Sequence, residues 1–412
     1  MKVGIISIGD ELLNGFTVDT NSSWISGQLF NYQELVVESK LVIGDTRNQI
    51  IDGLDNLITQ NFNFIFISGG LGPTHDDITK LTLCEYFNCN TRLINHHYHN
   101  IKKKLENKEN KVGDHIKEQC VILDISEPIM NLKGTALGMY IKYKKSKIFI
   151  MPGVPVEMKE MFLNEIAPCF LDPYFEKQKK HFTILTTGIY ESKLSEILIF
   201  DIEKNQKEFK VAFLPSYIGV KIRILKNNHN VSNDKLIVFK EEIVQKIKKY
   251  VYGYNDDKIQ NVVVEKIIEK NNTIAVAESC TGGLLSKMIT DVPGSSRCFL
   301  GGVVAYNNLI KEEFLNVQSS LIKNKGAVSN EVVIQMAKGI MKKFKSDIGI
   351  AITGISGPSN LEKDKELGAV YIAIITRNKS IVKNFKLIPN RNIHRQVSAQ
   401  TALNMLRLML GK

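Results

Sequence analysis

The stretch at residues 275–288, AVAESCTGGLLSKM, decides how the last part of the chain is read. It opens as an apolar strand, delivers Glu278, Ser279, Cys280 and Thr281 in succession, turns on Gly282-Gly283, and continues with helical spacing. Strand, glycine turn and helix in that order form a unit of an α/β sheet. In such sheets ligands bind beyond the carboxyl ends of the strands, where glycine lets the backbone come close. The stretch is therefore either a tight turn that needs small residues or a nucleophile on a backbone cradle.

Alternation continues outward from it. Residues 256–412 read as an α/β domain with a mixed sheet, including the strands TIAVAES, CFLGGVVAYNN, IGIAITG, AVYIAIIT and SIVKNFKLI and a terminal amphipathic helix, RQVSAQTALNMLRLML. Leu403, Leu406 and Leu410 form an apolar stripe on that helix, better suited to the domain core than to a dimer contact. Residues 1–172 alternate too, from KVGIISIG through TRNQIIDGLDNLITQ to SKIFIMPGVPVEM, which predicts a doubly wound, mostly parallel sheet. Residues 173–255 read as a small α+β module, with strands HFTILTTGI and GVKIRILKN and helices ESKLSEILIF and LIVFKEEIVQKIKKYVYG.

The 412 residues suit two or three domains, and 43% apolar content supplies ordinary cores. No apolar run reaches the roughly 18 residues that a membrane span needs. MKVGIISIGDELL reads as a first strand and not as a signal peptide. The six cysteines lack CxxC pairing, which argues against structural zinc or a disulfide framework and fits a reducing cytoplasm. A net charge of +11 invites a nucleic-acid partner, but few aromatics interleave with the lysines and no recognition motif accompanies them. NHHYHN, with His96, His97 and His99, lacks matching carboxylates and zinc spacing, so it reads as surface helix.

Three motifs follow strands of the first domain: IGDELLNG, SGGLGPTHDDIT and MPGVPVEM. Gly69, Gly70, Gly72 and Thr74 would let backbone N–H groups meet phosphate oxygens. Asp10, Glu11, Asp76 and Asp77 would hold a divalent cation against them, because hard cations prefer oxygen ligands. Their bland reading is turn-forming glycine and helix-starting aspartate.

In the last domain Ser279 needs a base. His394 is the one histidine after residue 255, so a Ser–His–Asp arrangement would have to use it. The alternative is a lysine held neutral by burial. Lys311, five residues after Tyr306, flanks the same expected pocket. Thr353, Gly354 and Ser356 supply a further wall that would stabilise an oxyanion or grip a phosphate. Cys280 is the rival nucleophile, with small buried filler as its plain role.

These residues carry a resemblance. GDELLNG, DTN, GGLGPTHDDIT and MPGVPVEM resemble the molybdopterin-binding-like N-terminal domain of the CinA (competence/damage-inducible) proteins. AESCTGGLLSKMITDVPGSSRCFLGGVVAYNNLIKEEFLNV, GAVSNEV and AITGISGPS resemble the family's C-terminal domain, a PncC-type nicotinamide-nucleotide amidohydrolase. Together they cover nearly the whole chain. The resemblance implies hydrolysis of nicotinamide mononucleotide (NMN) to nicotinate mononucleotide and ammonia, without a cofactor. Ser279 matches the family's serine, Lys311 its lysine, Tyr306 its tyrosine and Thr353 its oxyanion-side threonine. For the first domain it implies a metal-dependent ADP-ribose pyrophosphatase, with Asp77 at the phosphate and metal site. It also implies a homodimer. The family's Gly-Thr-Ala-Pro-Gly stands here as GTALG, with Leu137 in place of proline. For the NMN phosphate, Thr281, Gly282 and Gly283 at the helix start are candidates, as is Arg297. A non-catalytic nucleotide- or pterin-binding module and a competence-associated interaction protein are the rival functions.

Overall fold

The strand Lys2–Ile8 is buried at every residue but its first. A central parallel strand is covered on both faces, which is why it carries an unbroken apolar run. It pairs in parallel with Val36–Ile43 and with Phe64–Ser68. Phe64–Ser68 pairs in parallel with Ser146–Met151, and Gly138–Tyr143 and Glu127–Ile129 then extend the sheet antiparallel. Helices Thr20–Leu29, Arg47–Thr59, Thr79–Phe87 and Pro155–Met161 connect or follow these strands. Asp19 caps the first of them, accepting from the Ser22 N–H at 3.0 Å. The computed structural model describes residues 1–74, 77–106, 114–177, 181–227, 230–358 and 366–411. They fall into two compact units, Met1–Lys180 and His181–Lys412.

The second unit begins with a four-stranded antiparallel sheet in the order Phe209–Ser216, Gly219–Lys226, His181–Thr186, Val251–Tyr254. Helices Glu191–Asn205 and Asn233–Ile247 pack on it. Two of these strands were not expected. Phe209–Ser216 lies at the sheet edge, where half-burial and Pro215 blur the strand pattern. Val251–Tyr254 follows so closely on Asn233–Ile247 that the sequence reads as one helix.

The remainder forms a five-stranded mixed sheet in the order Phe299–Val304, Ile274–Glu278, Ile348–Gly354, Ala369–Thr376, Ser380–Lys386. The first three are mutually parallel and the last two antiparallel. Leu403 and Leu406 of the terminal helix Arg391–Leu410 are fully buried in the core, as its apolar stripe suggested. The Arg407 guanidinium donates to the carbonyls of Val251 at 2.8 Å and Lys249 at 2.7 Å. The two modules divided at residue 255 on sequence thus share one compact unit.

Candidate functional site

Glu278 ends its strand between Val304 and Ile352 of the neighbouring parallel strands. Its buried carboxylate accepts from the N–H groups of Gly283 (3.0 Å), Leu285 (3.0 Å) and Ser286 (2.8 Å) and from the Ser286 hydroxyl (2.6 Å). One side chain thus ties the strand end to the start of helix Leu284–Thr290. The intervening turn needs φ of +58° at Gly282 and +92° at Gly283, a left-handed pair that glycine adopts without strain. The Gly282 N–H donates to the Ser279 carbonyl at 3.1 Å. Both glycine N–H groups expected to hold a phosphate are therefore committed within the turn. The N–H of Thr281 makes no backbone–backbone hydrogen bond among the described residues, and that of Cys280 reaches only its own thiol.

Ser279 is 8% exposed, and its N–H donates to Ile352 O at 2.9 Å. The thiol of Cys280 is buried beneath Gly354, where an added Cβ would stand 3.1 Å from Sγ. Burial pushes that thiol up to about 12, a hydrogen bond from its own N–H lowers it in part, and Glu278 adds to the rise. A thiol so held is a poor nucleophile at neutral pH. Thr281 is fully buried, and its hydroxyl has no hydrogen-bond partner among the described residues.

Tyr306 leaves the adjacent strand end two residues after Val304. Asn307 caps the next helix, Asn308–Leu315, through the Leu309 N–H at 2.9 Å. That helix carries Lys311 inward. The lysine is 2% exposed, with Nζ 3.3 Å from Tyr306 O and 3.4 Å from Asn308 Oδ1. Ser279, Tyr306 and Lys311 thus gather at the carboxyl edge of one sheet.

Two expectations need correction, and His394 is placed away from the role a Ser–His–Asp arrangement would give it. Arg297 lies in the turn Ser295–Arg297, and register places Phe299 against Ile274, whose N–H donates to Cys298 O, at the opposite end of the strand from Glu278. Four residues of strand put roughly 13 Å between those ends. Arg297 is thus at the amino edge of the sheet and exposed. Thr353 is buried, and its hydroxyl donates to Ala327 O at 3.0 Å, which commits its proton away from a substrate oxyanion. His394 is wholly buried and shares a 2.9 Å hydrogen bond with Ser356 through Nδ1, so it packs the terminal helix against the 355–358 loop.

Sequence reading missed two arginines at the start of that helix. Arg391 donates to the Tyr306 hydroxyl at 2.6 Å and to Gly357 O at 3.3 Å. Arg395 holds Thr281 O with Nε at 3.0 Å and Nη2 at 2.8 Å, and lies beside Gly282. Their i, i+4 spacing after Asn390, which caps the helix, was the available signal.

In the first unit all three glycine-rich motifs line one cavity of about 620 Å³. Gly69, Gly70, Gly72, Thr74, Asp10, Glu11, Asp77 and Gly153 border it, as do Asp45 and Glu157. A Cβ on Gly69 would stand 2.2 Å from Ile8 O and one on Gly70 2.0 Å from Thr79 Oγ1, so only glycine permits this closeness. Asp77 accepts from the Thr74 N–H at 2.9 Å and hydroxyl at 2.5 Å. Asp45 accepts from the Asp10 N–H at 2.9 Å, and Asp10 accepts from the Asp45 N–H at 3.2 Å. Burial pushes the Asp45 carboxyl up, the Asp10 N–H pulls it back, and the charges of Asp10, Glu11 and Asp77 raise it further. Leu137 uses its N–H to reach Gln119 O at 3.1 Å, a bond proline could not make. His97 is buried, with Nε2 3.2 Å from Thr135 O. Asp76 lies outside the described residues. Among the described residues no three His, Cys, Asp or Glu side chains converge to hold a metal ion. Of the four expected ligands, Asp10, Glu11 and Asp77 border this one cavity.

Glycine turns crowded around one cavity at the ends of parallel strands define the first unit as a molybdopterin-binding-like domain, and the family model "Probable molybdopterin binding domain" matches residues 4–172. "Damage-inducible protein CinA KH domain" matches residues 181–253, and "CinA C-terminal domain" matches residues 256–410. A CinA-like protein of Amoebophilus asiaticus is 34% identical over 424 aligned residues, covering 100% of this chain and 99% of its own. A CinA-like protein of Prochlorococcus marinus is 37% identical, covering 99% of this chain and 97% of its own. The chain belongs to the CinA family. Among solved structures, the competence/damage inducible protein CihA of Agrobacterium tumefaciens is 30% identical, covers 38% of this chain and 98% of its own, and gives a TM-score of 0.36.

Proposed function

We propose that the second unit hydrolyses the carboxamide of NMN, giving nicotinate mononucleotide and ammonia. The observation that carries this reading is the Lys311 amine, buried to 2% exposure at the same sheet edge as Ser279. An amine at that edge can serve as the general base that a serine nucleophile needs. In the proposed sequence Lys311 accepts the Ser279 proton as the hydroxyl oxygen bonds to the carboxamide carbon. The N–H groups of Cys280 and Thr281 meet the developing oxyanion. The C–N bond then breaks, and ammonia leaves with the proton returned from Lys311. Water attacks the acyl-enzyme, releases the carboxylate and restores the serine. Thr353 shapes the wall through Ala327, and Arg391, on the Tyr306 hydroxyl, supplies positive charge for the phosphate. The test is ammonia release from NMN by the full chain, with Ser279→Ala and Lys311→Met as silent variants. Turnover that survives both substitutions removes the Ser279–Lys311 pair from the reaction.

A second reading concerns the first unit. Its cavity, bordered by three glycine-rich turns, supports binding of a nucleotide diphosphate such as ADP-ribose. Incubation with ADP-ribose, with and without a divalent cation, should yield AMP and ribose phosphate in at least one arm, and Asp77→Ala should stop it. Intact ADP-ribose in both arms would leave the cavity without this activity.

A further inference from the structure

The second unit holds a cleft of about 940 Å³ between the turns of its four-stranded sheet and one flank of helix Arg391–Leu410. One wall is the 187–192 turn with the 216–219 bend. Thr187 locks these walls together, its N–H donating to Tyr250 O at 3.0 Å and its hydroxyl to Ile218 O at 2.9 Å. Gly188, at φ +75°, approaches the facing helix so closely that a Cβ would stand 3.2 Å from Asn404 Nδ2.

Three features of the cleft point to one ligand chemistry. The 15-residue helix Glu191–Asn205 starts at its rim, and no side chain caps it. Its first-turn N–H groups and its dipole favour an anion there, against the charge of Glu191 at its first residue. Tyr190 and Tyr217 present exposed rings at the opening. On the opposite wall Gln400, 4% exposed, lines the cleft. A side-chain amide on the cleft wall offers both donor and acceptor to an incoming polar edge. Anion, planar ring and hydrogen-bonding edge are the three parts of a nucleotide.

We propose that this cleft binds a mononucleotide, its phosphate at the start of helix Glu191–Asn205, its base against Tyr190 and Tyr217, and the base edge on Gln400. The site is independent of the amidase reading. Hydrogen–deuterium exchange on the full-length Ser279→Ala chain, with AMP as the probe, tests it. AMP should slow exchange in segments 187–194 and 397–405. Gln400→Leu and Tyr217→Ala should each weaken that protection by about tenfold or more in AMP concentration, the equivalent of one lost polar or stacking contact. Tyr217 is exposed, so its variant stands as a test should the Gln400 variant fold poorly. Protection confined to segments 69–74 or 279–287, or unaltered in both variants, would overturn the proposal.

Discussion

Two nucleophiles stand side by side in the second unit, and their surroundings separate them. Burial pushes the Cys280 thiol up to about 12. Iodoacetamide at neutral pH should therefore leave turnover intact, and Cys280→Ala should retain most of it; rapid inactivation by alkylation of Cys280 would contradict this assignment. Arg391 grips the Tyr306 hydroxyl at 2.6 Å. Arg391→Ala should raise KM for NMN about tenfold, the effect of losing one charge-assisted contact, with a smaller change in kcat. Steady-state kinetics measure both constants, and an unchanged KM would remove Arg391 from substrate binding. The placing of Ser279, Tyr306 and Lys311 at one sheet edge was legible because strand ends announce themselves in the residues that follow an apolar run. Arg395 was not, because its partner Thr281 lies 114 residues away and only packing brings the two together. Arg297 misled for the converse reason. It is close to the glycine turn in sequence, yet the intervening helix and chain return it to the far end of the sheet.

The strand–turn–helix element at 274–290 depends on one carboxylate. Glu278→Ala would leave three backbone N–H groups and the Ser286 hydroxyl without their acceptor. A loss of about 3 kcal/mol is expected, because buried donors left unmatched carry their full desolvation cost. Urea unfolding measures it, and a loss below about 1 kcal/mol would mean that water replaces the carboxylate. The terminal helix has a pH response of its own. Burial lowers His394 below the ordinary imidazole value, with the backbone of Gly368 and Ala369 pulling it partly back. The unfolded chain thus takes up this proton more readily than the folded chain. This contribution is whole above about pH 6.5 and is lost as pH falls below it. His394→Gln keeps an acceptor for Ser356 but cannot titrate. Its urea midpoint should fall less than the parent's between about pH 7.5 and about pH 5; equal falls would show that His394 does not contribute. At this scale the parallel strands and the long helices were readable from periodicity. The edge strands Phe209–Ser216 and Val251–Tyr254 were not, since partial exposure and a preceding helix remove the signals that mark a strand.

At the scale of the whole molecule, two compact units each carry a glycine-shaped site at the ends of parallel strands. Among the described residues no helix is long and apolar enough to cross a membrane. If the two sites act separately, Ser279→Ala should silence ammonia release and spare ADP-ribose cleavage, while Asp77→Ala should do the reverse. Paired assays on each full-length variant would reveal any cross-effect, which would mean that the sites are coupled. The chemistry itself stands on the buried lysine. Ammonia release from NMN by the parent chain and by Lys311→Met, which keeps the bulk of the side chain and deletes the amine, measures that claim directly. The account predicts turnover in the parent and its loss in the variant with an unchanged urea midpoint; comparable turnover in both would contradict it.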